Sequence, residues 1–219
     1  AMENWGAIFT FQQDLLTDPH GTSPERREYV SVAQAHEVAH QWFGDLVTMA
    51  WWNDLWLNEG FASWMETKAT DHFHPDWHSL LTRVAGREKA MGLDAYRTTH
   101  PIIQPVRTVD EANQAFDAIT YSKGESVLAM LEAFAGEDTW RNGIRAYMAA
   151  HRLGNSHTPD LWAAVESAGA KGLTTIADDF TRQPGIPLVR VGAVRCEAGR
   201  TTLNLVQDEF TRDRMGQPS

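Results

Sequence analysis

Two histidines, His36 and His40, stand four residues apart, Glu37 directly follows the first, and Glu59 arrives nineteen positions after the second. On an α-helix, residues four apart share one face about 6 Å apart, so both imidazoles can reach a single ion. Glu37 falls on the adjacent face, near the ion but turned towards whatever enters the cleft. Zinc takes nitrogen and oxygen ligands at about 2.0–2.2 Å, and a catalytic site keeps one position open for water. Two histidines therefore need a third ligand from another element, and Glu59 meets that need. With one Zn2+ held by His36, His40 and Glu59, the site stays net positive and still acidifies water, and Glu37 is left to take the proton. A chain of this composition shows H-E-x-x-H by chance about once or twice in a hundred, and demanding Glu59 cuts that by more than about tenfold. Glu66, seven residues beyond Glu59 on the same helical face, can accept the second ring N–H of a histidine ligand and fix its tautomer.

These residues need two helices. The first runs from about Pro24 through Arg26, Tyr29, Val32, His36 and His40 to Gly44. Residues 45–57 show no clean period and are expected to form an irregular connection. A second helix covers 58–70 and returns Glu59 to the histidines. "WGAIFTF" at 5–11 is expected to be a strand, and "TDPHGTSPE" at 17–25 a loop. Helical patterns follow at 76–91, 110–118, 120–135 and 137–151. The next helix takes Thr158 as N-cap with Pro159 in first helical position and ends near Gly169. A last helix spans 173–183. Beyond it, "PLVRVGAVRC" and "TTLNLVQDEF" alternate apolar and polar residues as strands do. The expected organisation is a mostly α (α+β) domain over 1–185, then the opening strands of an incomplete β module over 186–219. Two or three strands do not easily bury a core alone.

The 219 residues suffice for one large domain or one domain and part of another. Nine tryptophans and nine phenylalanines suit a well-filled core. A net charge of −10 argues against non-specific nucleic-acid binding and suits a substrate carrying a free amine. No apolar run approaches the ~18 residues of a membrane span. Cys196 stands alone, so no intrachain disulfide forms, and a cytoplasmic location is the expectation.

With these motifs in view, the sequence resembles the aminopeptidase N-like zinc metallopeptidases of the gluzincin clan. The likeness runs through "HEVAHQWFGDLVTMAWWNDLWLNEGFASWMETKA", "ITYSKGESVLAML", "YMAAHRLGNSHTPDLWAAVE" and "TRQPGIPLVRV", essentially the whole chain. It implies a thermolysin-like catalytic domain with a small N-terminal β portion, followed by the first strands of a β-sandwich, with further domains of the same enzyme as partners. "AMENWG" is similar to the family's substrate-binding edge strand. By that likeness Met2 and Asn4 line the substrate backbone, and Glu3, helped by Glu59, receives the free α-amino group of a peptide. A buried ammonium needs such a carboxylate partner. Tyr121 matches the family's tyrosine that hydrogen-bonds the oxyanion. Phe180 stands where the family often has tryptophan.

Other features carry less. His72, His74 and His78 in "DHFHPDWH" lack a glutamate base between them, and Pro75 breaks the helix there, so a polar loop or helix start is expected. Cys196 has no neighbouring histidine to make it a nucleophile. Trp51, Trp52 and Trp56 are expected in the core and cleft wall, and Lys123 is equally compatible with the cleft and with solvent. Three functions compete: an aminopeptidase, a thermolysin-like endopeptidase, and a binding module that has lost its chemistry. Epoxide hydrolysis, known in one branch of the family, is a variant of the first.

Overall fold

A computed structural model describes residues 1–214 of the chain. The expected β module extends to residue 219, and its last five residues lie outside those described. Eight α-helices dominate: α1 (Pro24–Ala39), α2 (Trp56–Phe73), α3 (Ser79–Asp94), α4 (Val109–Gln114), α5 (Gly124–Ala135), α6 (Glu137–His151), α7 (Thr158–Ser167) and α8 (Leu173–Arg182). Among the described residues there are also four strands: β1 (Val47–Met49), β2 (Gly154–Ser156), β3 (Ile186–Glu197) and β4 (Arg200–Phe210). The mostly helical class expected from the sequence is what the fold has.

The core gathers around α2. Trp56, Phe61, Trp64, Leu128, Leu131, Trp140, Leu161, Trp162 and Leu173 are buried together from α2, α5, α6, α7 and α8. Phe61 stacks on Phe43 with centroids 4.5 Å apart and meets Trp64 edge-on at 5.9 Å, the offset and T-shaped geometries that aromatic quadrupoles favour. α2 is buried nearly all round from Trp56 to Trp64. Its sequence therefore shows little amphipathic period, and hydrophobic patterning alone could not place its ends.

Several local expectations are corrected. Residues 5–11 do not form a strand. The chain turns at Trp5–Gly6, and only Met2 and Phe9 pair, through Met2 N–H to the Phe9 carbonyl (2.8 Å) and the reverse bond (2.9 Å). With no neighbouring sheet, the apolar residues there have no ladder to join and stay largely exposed. α1 stops at Ala39 rather than Gly44, because the chain must fold back for the Phe43 carbonyl to reach the His40 ring (2.9 Å). The connection at 45–57 is less irregular than expected. β1 pairs in parallel with β2, Val47 opposite Gly154, and Trp56 already belongs to α2.

The N-cap of α7 is His157, not Thr158: Asp160 accepts from the His157 N–H (2.8 Å), completing a capping box. Thr158 is buried and serves tertiary structure instead. Its hydroxyl donates to buried Asp54 (2.6 Å) and accepts from Trp56 Nε1 (2.9 Å), locking the start of α2 to the start of α7. Trp56 is core as expected, whereas Trp51 and Trp52 are exposed, Trp51 donating to the Val106 carbonyl (2.7 Å).

β3 and β4 form one antiparallel hairpin, Ile186 opposite Phe210, with a register irregularity between Val191 and Val194. Ala198 and Gly199 close it as a two-residue turn with both φ positive (49° and 75°), the twist that matches right-handed strands. Cys196 lies exposed near this tip.

Candidate active site

α1 presents His36 and His40 on one face, their rings edge to face at 4.7 Å between centroids. α2 lies against that face and brings Glu59 into it. Glu59 Oε2 is 3.2 Å from His36 Nε2 and 3.4 Å from His40 Nε2. The facing ligand atoms of the three residues all lie within 4.8 Å of one another, and among the described residues no other histidine, cysteine or carboxylate group meets that test. The remaining ring nitrogens are already engaged. His36 Nδ1 donates to Glu66 (2.6 Å), and His40 Nδ1 donates to the Phe43 carbonyl (2.9 Å). Both Nε2 atoms are thereby turned towards Glu59, the arrangement a divalent ion needs from imidazole ligands. The donor set fits zinc: two imidazole nitrogens and one carboxylate oxygen, three ligands with a fourth position free.

Burial opposes charge on these groups, but their mutual hydrogen bonds outweigh it. Glu59 and Glu66 hold His36 at about 10, Glu59 and the Phe43 carbonyl raise His40, and the two histidines hold Glu59 at about 2. Glu37, also buried, is the exception. Burial pushes its carboxyl above the ordinary carboxylate value, with His36 and His40 pulling the other way. That leaves it a better proton acceptor than a solvated glutamate.

Tyr121 reaches the same cleft from the other side. It rides on a π-helical turn, Ile119–Lys123, and its ring lies nearly parallel to His36, centroids 6.0 Å apart. Burial first, then the Glu59 carboxylate, raises the phenol well above its ordinary value, so the hydroxyl keeps its proton as a donor. The turn can approach because Gly60 and Gly124 face each other. A Cβ on Gly60 would sit 3.3 Å from the Thr120 carbonyl oxygen, and one on Gly124 would sit 3.3 Å from the Gly60 Cα. Asp117 caps the turn through the Ile119 and Thr120 N–H groups (2.9 and 3.2 Å) and pairs with His100 Nε2 (2.7 Å). Sequence reasoning missed this support, although a glycine next to the candidate ligand Glu59, inside a helix, was a usable signal.

The N-terminal residues lie at the edge of the cleft. Gln41 fastens them, donating to the Glu3 carbonyl (2.9 Å) and accepting from the Gly6 N–H (3.1 Å). Behind burial, the main cause in each case, the charge of Glu3 adds to the upward push on Glu37, Asp45 and Tyr121. Met2 is exposed and held by its pairing with Phe9, and Asn4 accepts the turn bond from Ala7 N–H (2.9 Å). On the far side of Glu66, Glu125 is buried and accepts from Thr67 (2.7 Å), and burial lifts its carboxyl to about 7.

His72, His74 and His78 do not converge: His74 stacks on Trp77 at 3.8 Å, and His72 meets Phe73 edge-on. Lys123 faces neither solvent nor the cleft but pairs with Asp94 (2.7 Å).

Residues 1–180 match the peptidase family M1 domain. The chain belongs to peptidase family M1. It is similar to aminopeptidase 2 of Candida albicans, 42% identical over 96% of this chain and 22% of that protein. It is similar to tricorn protease-interacting factor F2 of Thermoplasma acidophilum, 43% identical over 97% of this chain and 27% of that protein. Human glutamyl aminopeptidase is 39% identical over the whole chain, again 22% of that protein. This M1 peptidase domain thus spans about a fifth to a quarter of the length of the curated relatives it matches. No helix among its described residues is long and apolar enough to cross a membrane.

Proposed function

We propose that this M1 domain is the catalytic part of a zinc aminopeptidase that releases N-terminal residues from peptides. The observation that carries the reading is the convergence of His36, His40 and Glu59, with Glu37 and Tyr121 beside them and Glu3 at the cleft edge. His36, His40 and Glu59 would hold one Zn2+. Such an ion supplies Lewis-acid polarisation of the scissile carbonyl and acidifies a water. Glu37 takes the proton of the attacking water and hands it to the departing amine. Tyr121 donates its hydroxyl hydrogen bond to the oxygen on which negative charge develops. Glu3, aided by Glu59, accepts hydrogen bonds from the substrate ammonium, and that contact limits cleavage to the first peptide bond. Met2 and Asn4 flank the bound backbone, and Glu66 keeps His36 in its metal-facing tautomer.

The β3–β4 hairpin is read as the opening of a β-sandwich, with the organisation 1–185 and 186–219 and further domains of the same enzyme around it. The support is its run of exposed apolar residues and the end of the family match at residue 180.

The test is hydrolysis of a free and an N-acetylated amino-acid anilide by the full-length enzyme, alongside its metal content. One zinc per site and cleavage of the free anilide alone are expected, with Glu3→Ala removing that activity. Equal cleavage of the blocked anilide would replace the exopeptidase reading with an endopeptidase one, and an inert, metal-free protein would leave only a binding module.

A further inference from the structure

The two ends of the β3–β4 hairpin are fastened to one short segment at the end of α3. On the way in, Gly185 N–H donates to Asp94 Oδ1 (2.8 Å). On the way out, Arg212 N–H donates to the Ala95 carbonyl (2.8 Å), and Asp213 accepts from Arg97 N–H (2.7 Å). Asp94 is almost fully buried, at 4% exposure. Its Oδ1 also accepts from the Thr99 hydroxyl (2.8 Å), and its Oδ2 accepts from Lys123 Nζ (2.7 Å). Lys123 reaches on to the Gln183 carbonyl (3.4 Å) in the linker ahead of the hairpin. It is the last residue of the π-helical turn that carries Tyr121.

We infer that the Asp94–Lys123 pair is a positioning joint, which sets the Tyr121 hydroxyl by tying its turn to the base of the hairpin. Three features carry this. A π-helical turn holds one residue more than an α-helix would over the same span, so its pitch depends on outside restraints. The Asp117 cap restrains its entry, and Lys123 restrains its exit. A largely buried ion pair is a costly way to hold a lysine unless its geometry is needed, since removing one partner strands the other charge. Asp94 escapes that cost by accepting three bonds from three different segments.

The inference rests on Tyr121 acting at the oxyanion, so the test separates the two claims. In the full-length enzyme, Lys123→Met keeps the alkyl stem and removes the charge. The expected result is a kcat lower by about 10–100-fold, the penalty of an oxyanion donor about an ångström out of place, with KM changed less than about threefold. Zinc content should be that of the unaltered enzyme. Affinity for a phosphinic pseudopeptide, which imitates the tetrahedral species, should fall by a similar factor while affinity for the free amino-acid product holds. Lys123→Arg should restore most of the rate, and Lys123→Met should cost little more once Tyr121→Phe is present.

Asp94→Asn keeps the acceptor for Gly185 and Thr99 and guards against a misfolded first variant. A folded Lys123→Met or Asp94→Asn enzyme with kcat within about twofold of the original would overturn the joint. So would a Lys123→Met loss that multiplies in full onto Tyr121→Phe. If Tyr121→Phe alone turns over normally, the oxyanion role itself fails, and the joint loses its purpose with it.

Discussion

α2 and the β3–β4 hairpin stand at opposite extremes of the same chain. From Trp56 to Trp64 every α2 residue is buried, including the polar Asn58, Glu59 and Ser63. On the hairpin Val189, Val191, Val194, Leu203, Leu205 and Val206 are all about half exposed or more. The first region suits a proposed ligand such as Glu59 because nothing in it can move without displacing a neighbour. The second has strand-forming residues whose apolar faces meet no partner within the described chain. Rigidity at the site therefore comes from packing inside the helical body, and the hairpin contributes only through its base.

Substitutions should expose that contrast. Glu37→Gln, within the helical body, should cut turnover by about a thousandfold or more, the scale of a lost general base, with metal content intact by elemental analysis. Phe61→Ala should cost about 3–5 kcal/mol of stability in denaturant unfolding, because its cavity is walled by Phe43, Trp56 and Trp64 and cannot collapse.

Glu125→Gln sharpens the comparison through pH. Burial raises this carboxyl from 4.5 to about 7 in the fold. Its contribution to stability is therefore complete below pH 4.5 and is lost as pH rises through about 7. The glutamine variant lacks that loss. It should gain on the parent by about 1–3 kcal/mol between pH 5 and 8, read as a flatter unfolding midpoint against pH. Gly60→Ala sets a helix-propensity gain of up to about 1 kcal/mol against a tight contact with the Thr120 carbonyl. Stability should hardly change while kcat falls about tenfold as the Tyr121 turn yields. On the hairpin, Leu205→Ser should shift the stability of the isolated chain by less than about 0.5 kcal/mol. A cost near that of Phe61→Ala would erase the distinction between the two regions.

Much of the site was legible because its signal is spacing. His36 and His40 share one helix face by number alone, Glu37 falls beside it, and Glu59 and Glu66 share a face of the next helix. The long helices from α5 onward were legible too, since each keeps one apolar stripe. Legibility ended where tertiary contacts override local pattern. The aromatic run at 5–11 reads as a strand, yet no sheet receives it. Thr158 has the composition of an N-cap, but Asp54 and Trp56 claim its hydroxyl. α1 ends early because the His40 ring bonds the Phe43 carbonyl, a contact that no local sequence pattern announces. β1 and β2, three residues each and over a hundred positions apart, left no periodic trace. Lys123 was ambiguous for the same reason: its partner, Asp94, lies on a different helix.

Cys196 gives the hairpin a chemical address. As the chain's sole thiol, solvent-facing near the strand tip, it would take a maleimide fluorophore or nitroxide at one place only. Spectroscopy could then report the distance from the hairpin to the helices that carry His36 and Glu59, with no engineered cysteine in this chain.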